Sequence, residues 1–140
     1  LEEAGAQVVL TRTDDYYIGL YERSYIANYL FADLFISIHT NFHPKDTVRG
    51  IEVYHHPGRS DGQVLARYVE SKMVETTKLT SLGIKTNDFV VIRETQMPSI
   101  LVELGYLSNF EEENILLTSE FRKDAAAGIF QGILDYYFGL

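Results

Sequence analysis

Residues 32–41 read ADLFISIHTN, and this stretch decides the fold. Of the five residues before His39, Leu34, Phe35, Ile36 and Ile38 are apolar, and only Ser37 is not. An unbroken apolar run of strand length fits a strand covered on both faces, which calls for a sheet with helices on either side. Residues 98–107, PSILVELGYL, repeat the pattern, and Pro98 opens that run without interrupting it. Working outward, Leu20, Ala27, Leu30 and Phe31 have helical spacing ahead of the first run. GIEVYHH (50–56) reads as an alternating strand. DGQVLARYVESKMVETTKL (61–79) reads as an amphipathic helix that buries Val64, Leu65, Tyr68, Val69 and Met73. FVVI (89–92) reads as a further strand, and Gly83 followed by IKTND as a helix end leading into it. The opening LEEAGAQVVLTRT predicts a helix end near Gly5 and a strand over Val8–Thr11. Asn109 with Glu112 reads as a capping box, and Glu111–Glu113 as a solvated first turn. Thr118 or Ser119 caps a last helix in which Ala126, Ile129, Phe130, Ile133, Leu134 and Tyr137 recur. Strands alternating with helices predict an α/β fold: a twisted, largely parallel sheet with helices on both faces, in one domain.

Composition narrows the chemistry. The 140 residues carry 12 Lys and Arg against 20 Asp and Glu, a net charge of −8, which repels phosphate backbones and excludes nucleic acid as a natural partner. No cysteine is present, so thiolate metal sites, disulfides and a cysteine nucleophile are ruled out, and a metal would rest on His and carboxylate. No stretch of about 20 apolar residues is present for insertion in a membrane. Ser37, Ser99 and Ser108 lack the Gly-x-Ser-x-Gly elbow of serine hydrolases, and no phosphate-binding glycine loop occurs.

In such sheets ligands collect beyond the carboxyl ends of the strands, so polar residues that end or interrupt an apolar strand are informative. His39 ends one apolar run, and Glu103 stands between Val102 and Leu104 inside another. The plain structural reading makes His39 a strand-end histidine bonded to backbone, and Glu103 half of a buried ion pair with Arg93 or Arg12. The functional reading pairs them: a neutral imidazole binds a metal, and a desolvated glutamate with raised pKa takes a proton from water. His55 and His56 are adjacent in a strand and face opposite ways, so at most one joins His39, and His43 lies in a loop.

VVLTRTDD, LYERSYIAN, ADLFISIHTN, GIEVY, VIRET, MPSILVELGYLSN and AAAGIFQGILDYY together closely resemble the zinc-dependent N-acetylmuramoyl-L-alanine amidase family of bacterial cell-wall hydrolases. The resemblance implies cleavage of the amide between N-acetylmuramic acid and the L-alanine of the peptidoglycan stem peptide. It implies one zinc held by two histidines and a glutamate, with a separate glutamate as general base. His39 matches the second histidine ligand and Glu103 the base. Family members begin with a strand ending in a His-Gly-Gly type motif and a helix carrying the third ligand, and both would lie before Leu1. The expectation is therefore an amidase catalytic domain over 1–140, incomplete at its N-terminus and lacking the first strand and helix. Zinc binding is expected to be weak or absent and the isolated chain inactive. Arg93 is expected at the carboxyl edge, on substrate carboxylates or a neighbouring acid, and Asn41, Arg12 and Asp14 on the rim. The partner expected is peptidoglycan, the oligomeric state a monomer, and the location extracytoplasmic, in cell wall or periplasm. Two alternatives stand beside this: a non-catalytic amidase-like domain that binds glycan or a partner protein, and a zinc peptidase or deacylase of similar architecture.

Overall fold

A computed structural model describes residues 1–139. The two apolar runs form β1, Phe35–Asn41, and β4, Ser99–Tyr106, which lie side by side and parallel. With β2, Ile51–His55, and β3, Ser81–Thr86, they make a four-stranded sheet in the order β1-β4-β2-β3. β2 and β3 are also parallel, and β2 and β4 are antiparallel. The sheet is thus largely parallel with one reversed pairing, for a simple reason. Residues 42–50 join β1 to β2 without a helix, and a parallel crossover needs a dozen or more residues, so β2 must run back.

Helices cover both faces, as the apolar strands require. On one side α2, Ser60–Thr77, and α5, Ser119–Phe138, bury Leu65, Val69, Met73, Ile129 and Ile133 against Ile51, Val53, Ile100 and Val102. Burying each large apolar side chain contributes about 1.5–3 kcal/mol, so this layer dominates the core. The two helices touch backbone to backbone: a Cβ on Gly132 would lie 2.5 Å from Val69 Cα, and one on Gly128 2.7 Å from Met73 Cα. The buried stripes are turned slightly from those expected. Ala66 is buried while Val64 is 45% exposed, and Ala125 is buried while Ala126 is exposed. On the other side α1, Leu20–Tyr29, and the short α3, Val90–Arg93, enclose Ala27, Phe35, Val91, Ile92, Met97 and Leu101. Between β4 and α5 lies α4, Phe110–Leu116.

Three sequence expectations need correction. FVVI is a helical turn and not a strand, because a short apolar run has no period that separates the two; Val91 and Ile92 reach the core from α3. The strand lies earlier, at Ser81–Thr86, where Gly83 at φ 81° sits in a shift of register between β2 and β3, a conformation that suits glycine. Val8–Thr11 forms no strand: its β-branched residues find no ladder partner among the described residues, and Val9 and Leu10 are 53% and 66% exposed. The turn before it is as expected, a single 3₁₀ turn over Glu2–Ala4 closed by Gly5.

The caps match the sequence reading more closely. Thr118 Oγ1 accepts from Phe121 N–H at the start of α5, and Asn109 Oδ1 accepts from Glu112 N–H at the start of α4. Glu112 itself, however, is not a solvated first-turn acid. Its carboxylate is buried and accepts from Gly50 N–H at 3.1 Å and Tyr106 N–H at 2.6 Å, tying the end of β4 to the start of β2. Gly105 leaves room for it, since a Cβ there would meet that carboxylate at 3.0 Å.

Candidate active site

Alternation along the strands and register across them place the site. Ser37 and His39 of β1 point to the α1 and α3 side, as do Leu101 and Glu103 of β4 and Glu52 and Tyr54 of β2. His39 is the register partner of Glu103, and Glu103 in turn is the partner of Glu52. One histidine and two carboxylates therefore form a row across three neighbouring strands, with Glu103 in the middle.

The two carboxylates have opposite surroundings. Glu52 is 2% exposed and heavily supported: it accepts from Tyr54 Oη at 2.6 Å and Tyr106 Oη at 2.8 Å, pairs with Lys85 Nζ, and lies 3.4 Å from Asn41 Nδ2. Burial works against its charged form, but Lys85 and the two phenols outweigh burial and hold the Glu52 carboxyl below the usual range. Burial and the charge of Glu52 push both phenols up in turn. Glu103 has no such support: its Oε2 is buried without a hydrogen-bond partner. Burial first, and then the negative charge of Glu52, push the Glu103 carboxyl up to about 7. Such a group holds or gives up a proton near neutral pH, which is what proton transfer requires.

His39 is half-buried in the second half of β1, two residues before the strand ends at Asn41. Its Nε2 lies 2.8 Å from Ser37 Oγ, so its partner is a side chain and not the backbone. Burial, followed by the Arg23 and Arg12 guanidiniums, holds the imidazole below its ordinary value and hence neutral, the form that offers a lone pair to a metal. Among the described residues no group of three His, Asp or Glu side chains converges as a metal site.

The other candidates separate cleanly. Asn41 stands beside the row and reaches Glu52, while its Oδ1 accepts from Phe42 N–H. Arg93 comes from α3 and meets neighbouring acids, donating to Asp88 Oδ2 at 3.1 Å and Glu94 Oε1 at 2.8 Å; it does not pair with Glu103. Arg12 donates to Tyr16 O at 3.0 Å and makes no ion pair with Glu103 either. Asp14 Oδ2 lies 3.4 Å from Thr13 Oγ1 in the exposed loop. Neither His55 nor His56 joins the row: His55 is buried on the α2 side beside Gly62, and His56 Nε2 lies 3.2 Å from Asp88. His43 Nδ1 accepts from Lys45 N–H in the following loop. Sequence reasoning missed Glu52, Tyr54, Lys85 and Tyr106. The signal for Glu52 was available, since it lies between Ile51 and Val53 just as Glu103 lies between Val102 and Leu104.

Relatives of known name share this fold and sequence. The profile of N-acetylmuramoyl-L-alanine amidases matches residues 1–135. The catalytic domain of CwlV, an N-acetylmuramoyl-L-alanine amidase from Bacillus (Paenibacillus) polymyxa var. colistinus, superimposes with a TM-score of 0.89 at 40% identity, covering 94% of this chain and 73% of that one. An N-acetylmuramoyl-L-alanine amidase from Clostridium difficile 630 gives a TM-score of 0.91 at 40% identity, covering 94% and 72%. LytC, an N-acetylmuramoyl-L-alanine amidase of Bacillus subtilis, is 32% identical over 98% of this chain, which spans 28% of LytC. YqiI of the same organism is 37% identical over 98% of this chain, which spans 67% of it. With the profile matched along nearly its whole length, and with the sheet that carries the row of His39, Glu103 and Glu52 superimposing on amidase domains, the chain belongs to the N-acetylmuramoyl-L-alanine amidase family.

Proposed function

We propose that this chain is the larger part of a catalytic domain that hydrolyses the amide between N-acetylmuramic acid and L-alanine in peptidoglycan, with Glu103 as the general base. One observation carries the reading: a carboxylate with a buried, unpartnered oxygen stands next to a histidine on a sheet edge, with its pKa raised to about 7. In the reaction Glu103 takes a proton from water as the water oxygen bonds the carbonyl carbon. It then returns the proton to the amine nitrogen as the carbon–nitrogen bond breaks. Glu52, kept charged by Lys85, Tyr54 and Tyr106, supplies the fixed negative charge beside it.

The family resemblance also calls for zinc. His39, held neutral at a strand end, is a suitable donor, but the described residues bring no group of three ligands together and so do not fit a zinc centre by themselves. We propose that His39 is one ligand of a centre completed by chain outside these residues, and that the 140-residue chain alone binds zinc weakly and is inactive. No helix among the described residues is long and apolar enough to cross a membrane, and the cell-wall substrate places the proposed activity outside the cytoplasm.

The test is a pair of variants in the full-length parent. Glu103→Gln is expected to lower release of stem peptides about 10²–10⁴-fold with metal content unchanged. His39→Ala is expected to lose metal and activity together. Activity in Glu103→Gln equal to that of the parent overturns the assignment of the base.

A further inference from the structure

Lys85 extends the row to the β3 edge of the sheet. It is the register partner of Tyr54 across β2 and β3, so it stands on the face that carries His39, Glu103 and Glu52. Its Nζ pairs with Glu52, and the pair is lopsided: the Glu52 side chain is 3% exposed and that of Lys85 43%. Glu52 also accepts from Tyr54 Oη and Tyr106 Oη, whereas the described residues give the Lys85 ammonium one acceptor, Glu52 itself. An ammonium carries three donors, so those left over face solvent beside the row.

Charge narrows what those donors meet. Glu52 and a net charge of −8 repel an anion, yet the peptide half of an amidase substrate carries carboxylates, so the row needs a cation where the peptide runs. Arg93 was expected there, but Asp88 and Glu94 hold it, and Asp61 holds Arg59. Arg12 and Arg23 act on His39, at the end of the row where chain outside these residues completes the proposed centre. Lys85 lies three strands from His39, at the opposite edge in the order β1-β4-β2-β3, clear of that chain.

Distance agrees with charge. In the proposed reaction Glu103 returns its proton to the amine of the leaving peptide, so that amine stands at Glu103 and the peptide continues along the row toward β2 and β3. Neighbouring strands lie about 4.8 Å apart, and Lys85 Nζ, drawn over β2 by Glu52, stands roughly 5–8 Å from Glu103. An extended peptide advances about 3.5 Å per residue, which carries the residue after L-alanine about 7 Å from the cleaved bond. In peptidoglycan that residue is D-isoglutamate, with a free α-carboxylate, or its carboxamide, D-isoglutamine.

We propose that Lys85 is the subsite for the α-carboxylate of the second stem-peptide residue, bridging it to Glu52 and setting a preference for the free acid over the amide. The identity of the ligand rests on the amidase reading, and binding is tested apart from turnover. The probes are N-acetylmuramoyl-L-alanyl-D-isoglutamate and its D-isoglutamine counterpart, titrated by calorimetry into the full-length parent carrying Glu103→Gln so that neither is cut.

The acid is expected to bind about tenfold more tightly than the amide, the low end for a bond between charged groups open to solvent. Adding Lys85→Gln is expected to bring the two within about twofold, and Lys85→Arg to keep the preference. If Lys85 only supports Glu52, its loss weakens both ligands by the same factor and leaves their ratio unchanged, which overturns the subsite. So does a parent without preference, or a preference removed by Arg23→Gln and not by Lys85→Gln. Should Lys85→Gln fail to fold, acylation of Lys85 by an amine reagent, read by mass spectrometry, is expected to be slowed by the acid and not by the amide; equal labelling overturns the subsite as well. Stem-peptide release by the unsubstituted parent without any acid preference sinks the subsite and leaves the amidase reading. A Lys85-dependent preference without release from either ligand does the reverse.

Discussion

The buried Glu103 carboxylate makes folding stability depend on pH in a way that can be worked out in advance. Its pKa rises from 4.5 to about 7 in the folded chain, so the folded state holds a proton that the unfolded state gives up. The carboxyl therefore favours the fold most below about pH 4.5 and loses that contribution as pH rises through about 7. Each pKa unit corresponds to about 1.4 kcal/mol. Between pH 5.5 and 8.5 roughly 1.5 of the 2.5 units are traversed, a loss of about 2 kcal/mol, which partial exposure of the side chain reduces to about 1–2 kcal/mol. The perturbation is Glu103→Gln, which cannot ionise. The assay is urea unfolding of both proteins at the two pH values, kept above the sequence pI of about 4.9 to limit precipitation. Comparing the pH dependence cancels any fixed cost of the amide in that position. The expected outcome is that Glu103→Gln gains about 1–2 kcal/mol on the unsubstituted chain from pH 5.5 to 8.5. An identical difference at both pH values would refute the claim that burial and Glu52 hold this carboxyl protonated near neutral pH.

Two further outcomes test the surroundings of the row. Glu52→Gln withdraws the charge that helps raise Glu103 and leaves the phenols of Tyr54 and Tyr106 with a weaker acceptor; we expect a loss of about 1–3 kcal/mol in urea unfolding. A fall in the Glu103 pKa, read by carbon-13 NMR of the glutamate carboxyls, accompanies it, and the value stays above 4.5 because burial is the larger cause. Gly132→Ala drives a methyl group to 2.5 Å from Val69 Cα and must spread α2 from α5, so thermal unfolding is expected to show a loss of about 1–3 kcal/mol.

The legible part of this molecule is local, and so is its cause. β1 and β4 are written as apolar runs of strand length that suit a strand covered on both faces, the Thr118 and Asn109 caps follow from side chains that reach their own backbone, and Glu103 is conspicuous because a carboxylate among apolar neighbours needs a reason. His39 and Glu103 were therefore singled out from residue order alone. What depended on contacts distant in sequence was misread or missed. FVVI is too short to declare a period, and Val8–Thr11 has strand propensity without a ladder partner among the described residues. Glu112 resembles its solvated neighbours in sequence, yet folds inward onto Gly50 and Tyr106.

The site divides in the same way. By itself the sequence determined which chemical groups are available: one strand-end histidine, carboxylates set in apolar strands, no thiol, and a negative charge that turns away nucleic acid. Only the tertiary structure decided how those groups affect one another. Register between β1, β4 and β2 brings His39, Glu103 and Glu52 into one row, although they are separated in the chain. Lys85, Tyr54 and Tyr106 then stabilise the charge on Glu52 and leave Glu103 without a partner. A pKa responds to burial and to charges a few ångströms away. Those distances are set by strand pairing, so two glutamates that look equivalent in sequence acquire opposite proton affinities only when the sheet forms.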